Sequence, residues 1–482
     1  MTSMRTVNLA AAVALALAGC EVGPDYHRPN SNIPKEFRFE IKNVQDTANT
    51  EWWRQFDDPE LDALIKTALA NNWTLQTAAG QIEQAAGVLM STRAGFYPQL
   101  GYSGAAERDR FSQRVVPLPP GTTNPQNLFQ GILDSSWEID LWGRIRRQTE
   151  AAKAGLVGAE EARRGVVLSL VASVAISYLQ LRSLDAQLET SEETLKAYAD
   201  AVRYFTHQFQ YGEVSMLNVQ QARAQYESAA AVIPQLQAQI AQAEDALSVL
   251  IGSDPRPIMR GKTLVAMSLP AVPAALPSEL LERRPDVAQA EQNLIAANAQ
   301  IGAAEALYFP QISLTGVFGA ASRQLDDLFV GPARVWSFAG VATGPIFTGG
   351  NISGQVIQAS AVQKQSLADY EYTIQTAFAD VSDALIGFQK GMEQLAVEQR
   401  LVAANKEALR LAWLQYNEGQ EPYLTVLIAE RDLYSAQIAE SQTRGNAYAN
   451  LVNIYKALGG GWVAKAATGA PQPPVTPVLL FP

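Results

Sequence analysis

Two stretches of this chain, 143–210 and 351–416, each run more than sixty residues without a proline while apolar side chains return at helical spacing. At the helical rise each would form a rod of roughly 100 Å, several times the length of a globular helix. No single compact core can bury rods of that size. Ahead of each rod the period changes to two. In the first case Leu100 and Tyr102 alternate with Gly101 and Ser103, and Phe129, Leu133, Trp137 and Ile139 alternate with Gln130, Asp134, Glu138 and Asp140. In the second, Ile312, Leu314 and Phe318 alternate with Ser313 and Thr315, and Trp336 and Phe338 with Ser337 and Ala339. A shorter helical run follows each rod, the first of them carrying Pro234, where a kink is expected. The plan of two strands, a rod and a partner helix therefore occurs twice. The pairs Gly143 and Gly349, Tyr211 and Tyr416, and Gly252 and Gly459 fix the repeat at spacings of 206, 205 and 207.

This pattern divides the chain into a signal segment 1–19 and a tether with an equatorial segment 20–58, followed by two repeats and a tail. Repeat 1 covers 59–252, with strands within about 99–140 and a helix pair over about 143–251. Repeat 2 covers 253–462, with strands within about 310–346 and a helix pair over about 351–458, and 463–482 forms an irregular Pro-rich tail. The uncharged stretch 165–181 approaches the length of a membrane span. Its position inside a far longer amphipathic rod favours a buried segment, with Ser169, Ser173 and Ser177 lining a close helix contact.

Composition narrows the function. With 37 basic and 48 acidic residues the net charge is -11, which disfavours a nucleic acid partner. Two histidines, His27 and His207, and one cysteine leave no material for a multi-ligand metal site, a cysteine–histidine nucleophile or a serine–histidine–aspartate triad. The chain reads as no enzyme, with neither metal nor cofactor. The cysteine has its own explanation. Arg5 supplies a basic start, 7–18 is apolar, and Leu17-Ala18-Gly19-Cys20 is a lipobox, so Cys20 is expected to carry a covalent lipid and to begin the mature chain. An ordinary secretory signal with a leftover cysteine is the alternative.

Four strands with one apolar and one polar face cannot sit in lipid as an open sheet, because the edge N–H and C=O groups would lack partners. Closed barrels begin at about eight strands. At least two copies must therefore contribute, with three favoured. A soluble sheet with one wet face is the alternative, and the lipid anchor and Tyr102, Trp137, Trp142 and Trp336 near strand ends argue against it. Alanines such as Ala222, Ala224, Ala229 and Ala230 allow close packing of helix pairs into a hollow cylinder. Plain helix propensity accounts for them equally well.

Val22-Gly23-Pro24-Asp25-Tyr26, Trp52-Trp53, Pro59-Glu60-Leu61, Phe96-Tyr97-Pro98, the run from Ser136 to Gly143, Arg283-Arg284-Pro285-Asp286-Val287 and Gly344-Pro345-Ile346-Phe347 follow in an order that resembles the outer membrane factor family, in its NodT-type lipoprotein branch. The likeness spans the mature chain. It implies a mixed membrane α+β fold: a homotrimer with a twelve-stranded outer membrane β-barrel, four strands per chain, continuous with a long α-helical coiled-coil barrel and an equatorial domain. It implies the outer membrane exit duct of a tripartite efflux pump, passing drugs, toxic compounds or metal ions from a periplasmic adaptor and an inner membrane transporter. It also implies that Tyr211, Gly212, Ser215, Leu217, Tyr416 and Gly419 at the helix-pair tips dock the adaptor, and that Leu424, Ile428 and Arg431 gate the periplasmic end. Ile428 stands where an aspartate ring is frequent, so an apolar constriction replaces a cation-binding one. Carboxylates or carbonyls near the tips are the expected acceptors for Arg431, with Glu418 and Glu421 as candidates. A type I protein secretion duct and a pore-less periplasm-spanning lipoprotein are the alternative functions.

Overall fold

The computed structural model describes residues 21–30, 37, 39, 44–45, 51–112, 114, 119, 123–273 and 280–460. The signal segment, Cys20 and the tail 463–482 lie outside the described residues. In chain order the elements are β1 (Val44–Gln45), a 3-10 turn (Trp52–Phe56), α1 (Pro59–Asn71), α2 (Trp73–Arg93), β2 (Gln99–Asp109), β3 (Gln126–Ile139), α3 (Arg144–Gln210) and α4 (Met216–Leu250). There follow β4 (Val272–Pro273), α5 (Leu280–Arg283), α6 (Pro285–Glu305), β5 (Gln311–Ser322), β6 (Arg334–Thr343), α7 (Asn351–Asn417) and α8 (Tyr423–Ala457). The rods α3 and α7 have 67 residues each, and their partners α4 and α8 have 35 each. Helix α4 runs on through Pro234. The described residues fall into two compact units, one drawn from 1–30, 84–158 and 290–370, the other from 31–83, 159–289 and 371–482.

The first unit holds an antiparallel sheet in the order β2-β3-β5-β6. Its register aligns Tyr102 with Leu133, Leu133 with Phe318, and Phe318 with Trp336. Because side chains alternate along a strand, this places Leu100, Tyr102, Phe129, Leu133, Trp137, Ile139, Ile312, Leu314, Phe318, Trp336 and Phe338 on one face. The other face carries Ser103, Glu107, Gln130, Asp134, Glu138, Ser313, Thr315 and Ser337. The apolar face is uncovered in the single chain: Tyr102 is 87% exposed, Phe338 77% and Trp336 70%. Gly316 is opposite Phe338, and a Cβ there would lie 3.2 Å from that ring, so the glycine makes room for an aromatic to lie across the strand. Strands β2 and β6 are the two free edges.

The second unit contains the main core. Trp52 stacks on Tyr455 at 5.0 Å, with Phe56, Leu61, Tyr178, Val171 and Val452 buried around them. Asp58 is 1% exposed yet fully used: it caps α1 through the N–H groups of Glu60 and Leu61, and accepts from the Tyr178 hydroxyl and the Lys262 N–H at 3.0 Å each. Both repeats close in the same way. Asn72 caps α2 and donates to the Leu250 carbonyl at the end of α4 (2.9 Å), while Arg284, just before α6, donates to the Ala457 carbonyl at the end of α8 (3.0 Å). Orphan carbonyls at both helix ends are thereby satisfied.

The stretch 165–181 is a buried rod segment, with Val167, Val171, Val174 and Tyr178 inward. The expectation for its serines needs correction. Ser169, Ser173 and Ser177 are only half-buried, because the valines and the tyrosine occupy the core face. A close approach is made instead by Ser183 against Gly445, where an added Cβ would lie 2.8 Å from Ser183. Of the α4 alanines, Ala222 and Ala229 are buried at a seven-residue spacing and Ala224 is exposed.

Candidate functional site: the helix tips and the N-terminal strap

Both rods end in the same turn. After α3, the Gly212 N–H donates to the Phe209 carbonyl and the Glu213 N–H to the Gln208 carbonyl, each at 3.0 Å. After α7, the Gly419 N–H donates to Tyr416 at 3.0 Å and the Gln420 N–H to Gln415 at 2.9 Å. This paired pattern requires a left-handed residue, and Gly212 and Gly419 supply it at φ 77° and 73°. Tyr211, Ser215 and Leu217 are exposed beside the first turn, Tyr211 at 71%. Tyr416 is half-buried and turns inward.

Inward lies a small apolar cluster, separate from the main core: Ala201 and Phe205 of α3, Val219 and Ala222 of α4, Ala412 of α7, and Tyr423, Val426 and Leu427 of α8. Phe205, fully buried, is its hub, with ring centroids 3.9 Å from Tyr423, 5.2 Å from Tyr204 and 6.0 Å from Tyr416. Burial raises the Tyr423 hydroxyl far above its ordinary value and pushes Tyr198 up to about 12. Both phenols stay neutral at any physiological pH.

Helix α8 divides its first turns between two stripes. Tyr423, Val426, Leu427 and Glu430 face the cluster and are buried. Leu424, Ile428 and Arg431, spaced by four and three, form an exposed stripe, with Leu424 52% and Ile428 43% exposed. The structure thus brings the three gate candidates onto one line. Within the chain Arg431 donates to the Asp432 carboxylate at 3.0 and 3.2 Å, and to neither Glu418 nor Glu421. Those two are occupied locally by Gln420 and Thr425, since carboxylates in so tight a turn reach their own neighbours first. Phe205, Trp413 and Glu430 were not singled out from sequence. The buried spacing 423, 426, 427, 430 was the available signal.

The first unit shows why the motif around Trp137 is dense. Glu138 pairs with Arg144 through two contacts, at 3.1 and 2.6 Å. Asp140 accepts the Ile145 and Arg146 N–H groups and caps α3. Trp142 donates to the Pro310 carbonyl at 2.8 Å and stacks on Phe309 at 4.7 Å. Trp137 donates to the Phe96 carbonyl at 3.0 Å. The segment 21–28 is strapped across this region. Arg147, whose side chain is 4% exposed, holds Glu21 and Asp25 together with the carbonyls of Val22 and Gly23. Asn298 donates to the Pro24 carbonyl at 2.8 Å, and Glu291 accepts from Arg28 and Tyr26. Hydrogen bonds from Arg28 hold the Glu291 carboxyl below its ordinary range despite burial. Gly23, at φ 98°, and Gly302 meet where neither tolerates a Cβ. Among the described residues no cluster of histidine, cysteine, aspartate or glutamate could hold a metal ion.

A four-stranded sheet with a bare apolar face, together with two very long helical hairpins, defines an outer membrane channel protein. The sequence profile of the outer membrane efflux proteins matches the chain twice, over residues 64–253 and 276–460, and the chain belongs to that family. Among relatives, the toluene efflux pump outer membrane protein TtgC of Pseudomonas putida is 38% identical, covering 94% of this chain and 95% of the relative. The cation efflux system protein CusC of Escherichia coli is 36% identical over 93% of this chain and 98% of its own. Among solved structures, the Campylobacter jejuni CmeC outer membrane channel superposes with a TM-score of 0.87 at 25% identity, covering 94% of this chain and 99% of CmeC. The open state of the Neisseria gonorrhoeae MtrE outer membrane channel gives 0.82 at 32% identity, over 92% and 99%. This chain is an outer membrane efflux protein.

Proposed function

We propose that three copies of this chain close a twelve-stranded barrel and form the exit duct of a tripartite efflux pump for small solutes. The observation that carries the reading is the sheet: four strands, an uncovered apolar face and two unpaired edges make one third of a barrel, and no closed barrel can be built from one copy. The duct is anchored by lipid on Cys20, and the strap from Glu21 to Arg28 fixes the chain directly after that anchor. The tips carry both the docking surface for a periplasmic adaptor, at Tyr211, Gly212, Ser215, Leu217, Tyr416 and Gly419, and the gate. An inner membrane transporter supplies the driving force, and the duct itself catalyses nothing. Relatives named for toluene, antibiotic and cation efflux support small solutes over a type I protein secretion duct.

At the gate, Leu424 blocks the axis, Ile428 makes the same stretch water-repellent, and Arg431 holds neighbouring tips through charge-assisted contacts. Single-channel recording in planar bilayers tests this. L424A and R431A each raise conductance, and I428D increases cation preference with less effect on opening. If L424A and R431A both conduct at the wild-type level, the constriction is elsewhere.

A further inference from the structure

Glu430 is the one member of the buried α8 stripe that does not belong in an apolar seam. It is 9% exposed, and its Oε2 has no hydrogen-bond partner among the described residues. The two other buried carboxylate residues are provided for: Asp58 accepts four donors, and Glu291 has Arg28 and Tyr26. Asp62 and Glu398 each have one buried oxygen with no partner among the described residues, but both residues are only half-buried and still reach water. The groups that bear on Glu430 come from each neighbouring element. Helix α7 supplies the Trp413 indole, which favours the charged form. Helix α3 supplies the Tyr198 hydroxyl, and α8 itself supplies Tyr423 and, next to Tyr198, Tyr434. Helix α4 contributes Ala222 and Gln225, whose amide donates to Tyr198 at 3.4 Å. None of these is a cation. An ionised carboxylate in such a place keeps its charge only by admitting water.

The tip cluster is small and separate from the main core, so its seam can open while the rest of the unit stays packed. We propose that Glu430 is a proton-operated latch on this seam: protonated, it lets α8 close against α3 and α7, and ionised, it loosens that contact and frees the stripe of Leu424, Ile428 and Arg431. Loosening moves the gate stripe because seam and stripe occupy the same two turns of α8. The latch rests on reading the tips as the channel entrance.

Burial pushes the Glu430 carboxyl up to about 7, against the opposing effect of Trp413. A group that binds its proton more tightly in the closed seam than in water stabilises the closed seam in acid, and that advantage is lost as the pH rises through about 7. With an ordinary glutamate of about 4.5 in the loosened tip, the ratio of loosened to closed seams rises about 30-fold between pH 5.5 and 8.5.

The test uses the full lipidated chain with nitroxide labels at E213C and Q420C, two exposed turn positions, and measures their separation by pulsed electron resonance at pH 5.5 and 8.5. The latch predicts a longer and broader distribution at pH 8.5, and for E430Q the acid distribution at both pH values. A wild-type distribution that ignores pH overturns it, and so does an E430Q protein that shifts as wild type does. The wild-type comparison decides alone should E430Q fail to assemble. Because the readout needs no conduction, the two readings fail separately. Tips that respond to pH in a protein that conducts nothing refute the channel, and a conducting protein with unresponsive tips refutes the latch.

Discussion

Truncating the hub of the tip cluster isolates the seam from the rest of the fold. Phe205 is completely buried and touches aromatic rings from α7, α8 and its own helix. Phe-to-Ala changes at such sites cost about 3–5 kcal/mol, through lost transfer energy and the cavity left behind. The cluster has eight buried members among the described residues and sits at a helix end where it can partly collapse, so about 3 kcal/mol applies. At 1.4 kcal/mol per factor of ten, local opening becomes about 100-fold more frequent. Hydrogen exchange of the α8 amides 427–430, the first with intrahelical acceptors, reports that opening in F205A, with amides 447–455 in the main core as internal control. Phe209, on the same helix but 39% exposed, provides the comparison, since F209A changes tip exchange by a few-fold at most. Tip exchange in F205A at the wild-type rate would refute a seam held by Phe205. Tip and core amides that accelerate together would refute it equally, because the tip would then not be a separate unit of stability.

Two further substitutions probe the joints of the fold. R284A removes a guanidinium with a side chain 9% exposed that holds Asp286, Asp380 and the Ala457 carbonyl; since both carboxylates are half-exposed, the cost falls near the low end of a broken buried pair, about 3 kcal/mol, read as a lower melting temperature that R284K recovers only in part. G302A inverts the usual sign for glycine in a helix, where alanine normally stabilises by about 0.5–1 kcal/mol: its Cβ would lie 2.5 Å from the Val22 carbonyl, so the strap lifts and residues 21–28 become open to limited proteolysis, whereas unaltered protection there shows that the strap does not depend on this contact.

The long elements were legible because their periods persist. Sixty residues of helical spacing admit one reading, and the glycines at 143, 212, 252, 419 and 459 stand at positive φ where the sequence placed breaks. The strands were legible on their apolar face, while Ile132, Val317 and Val341 on the opposite face blurred the alternation. Two-residue strands such as β1 and β4 and the four-residue α5 carry no period at all. Long-range partners were the part that stayed hidden. The strap carries no period because its order comes from Arg147, Glu291 and Asn298, more than a hundred positions away. Glu430 went unremarked in the sequence, since a glutamate's burial depends on which helix covers it.

In the proposed three-chain barrel each four-stranded sheet supplies one third of the wall. Native mass spectrometry of the detergent-extracted protein, followed by hydrogen exchange on the same species, tests it directly. A barrel closed by three chains gives a mass of three chains, with the outward-facing amides of β2 and β6 as protected as those of β3 and β5. A single-chain mass with those edge amides protected contradicts it, and so does a three-chain species whose edge amides exchange freely.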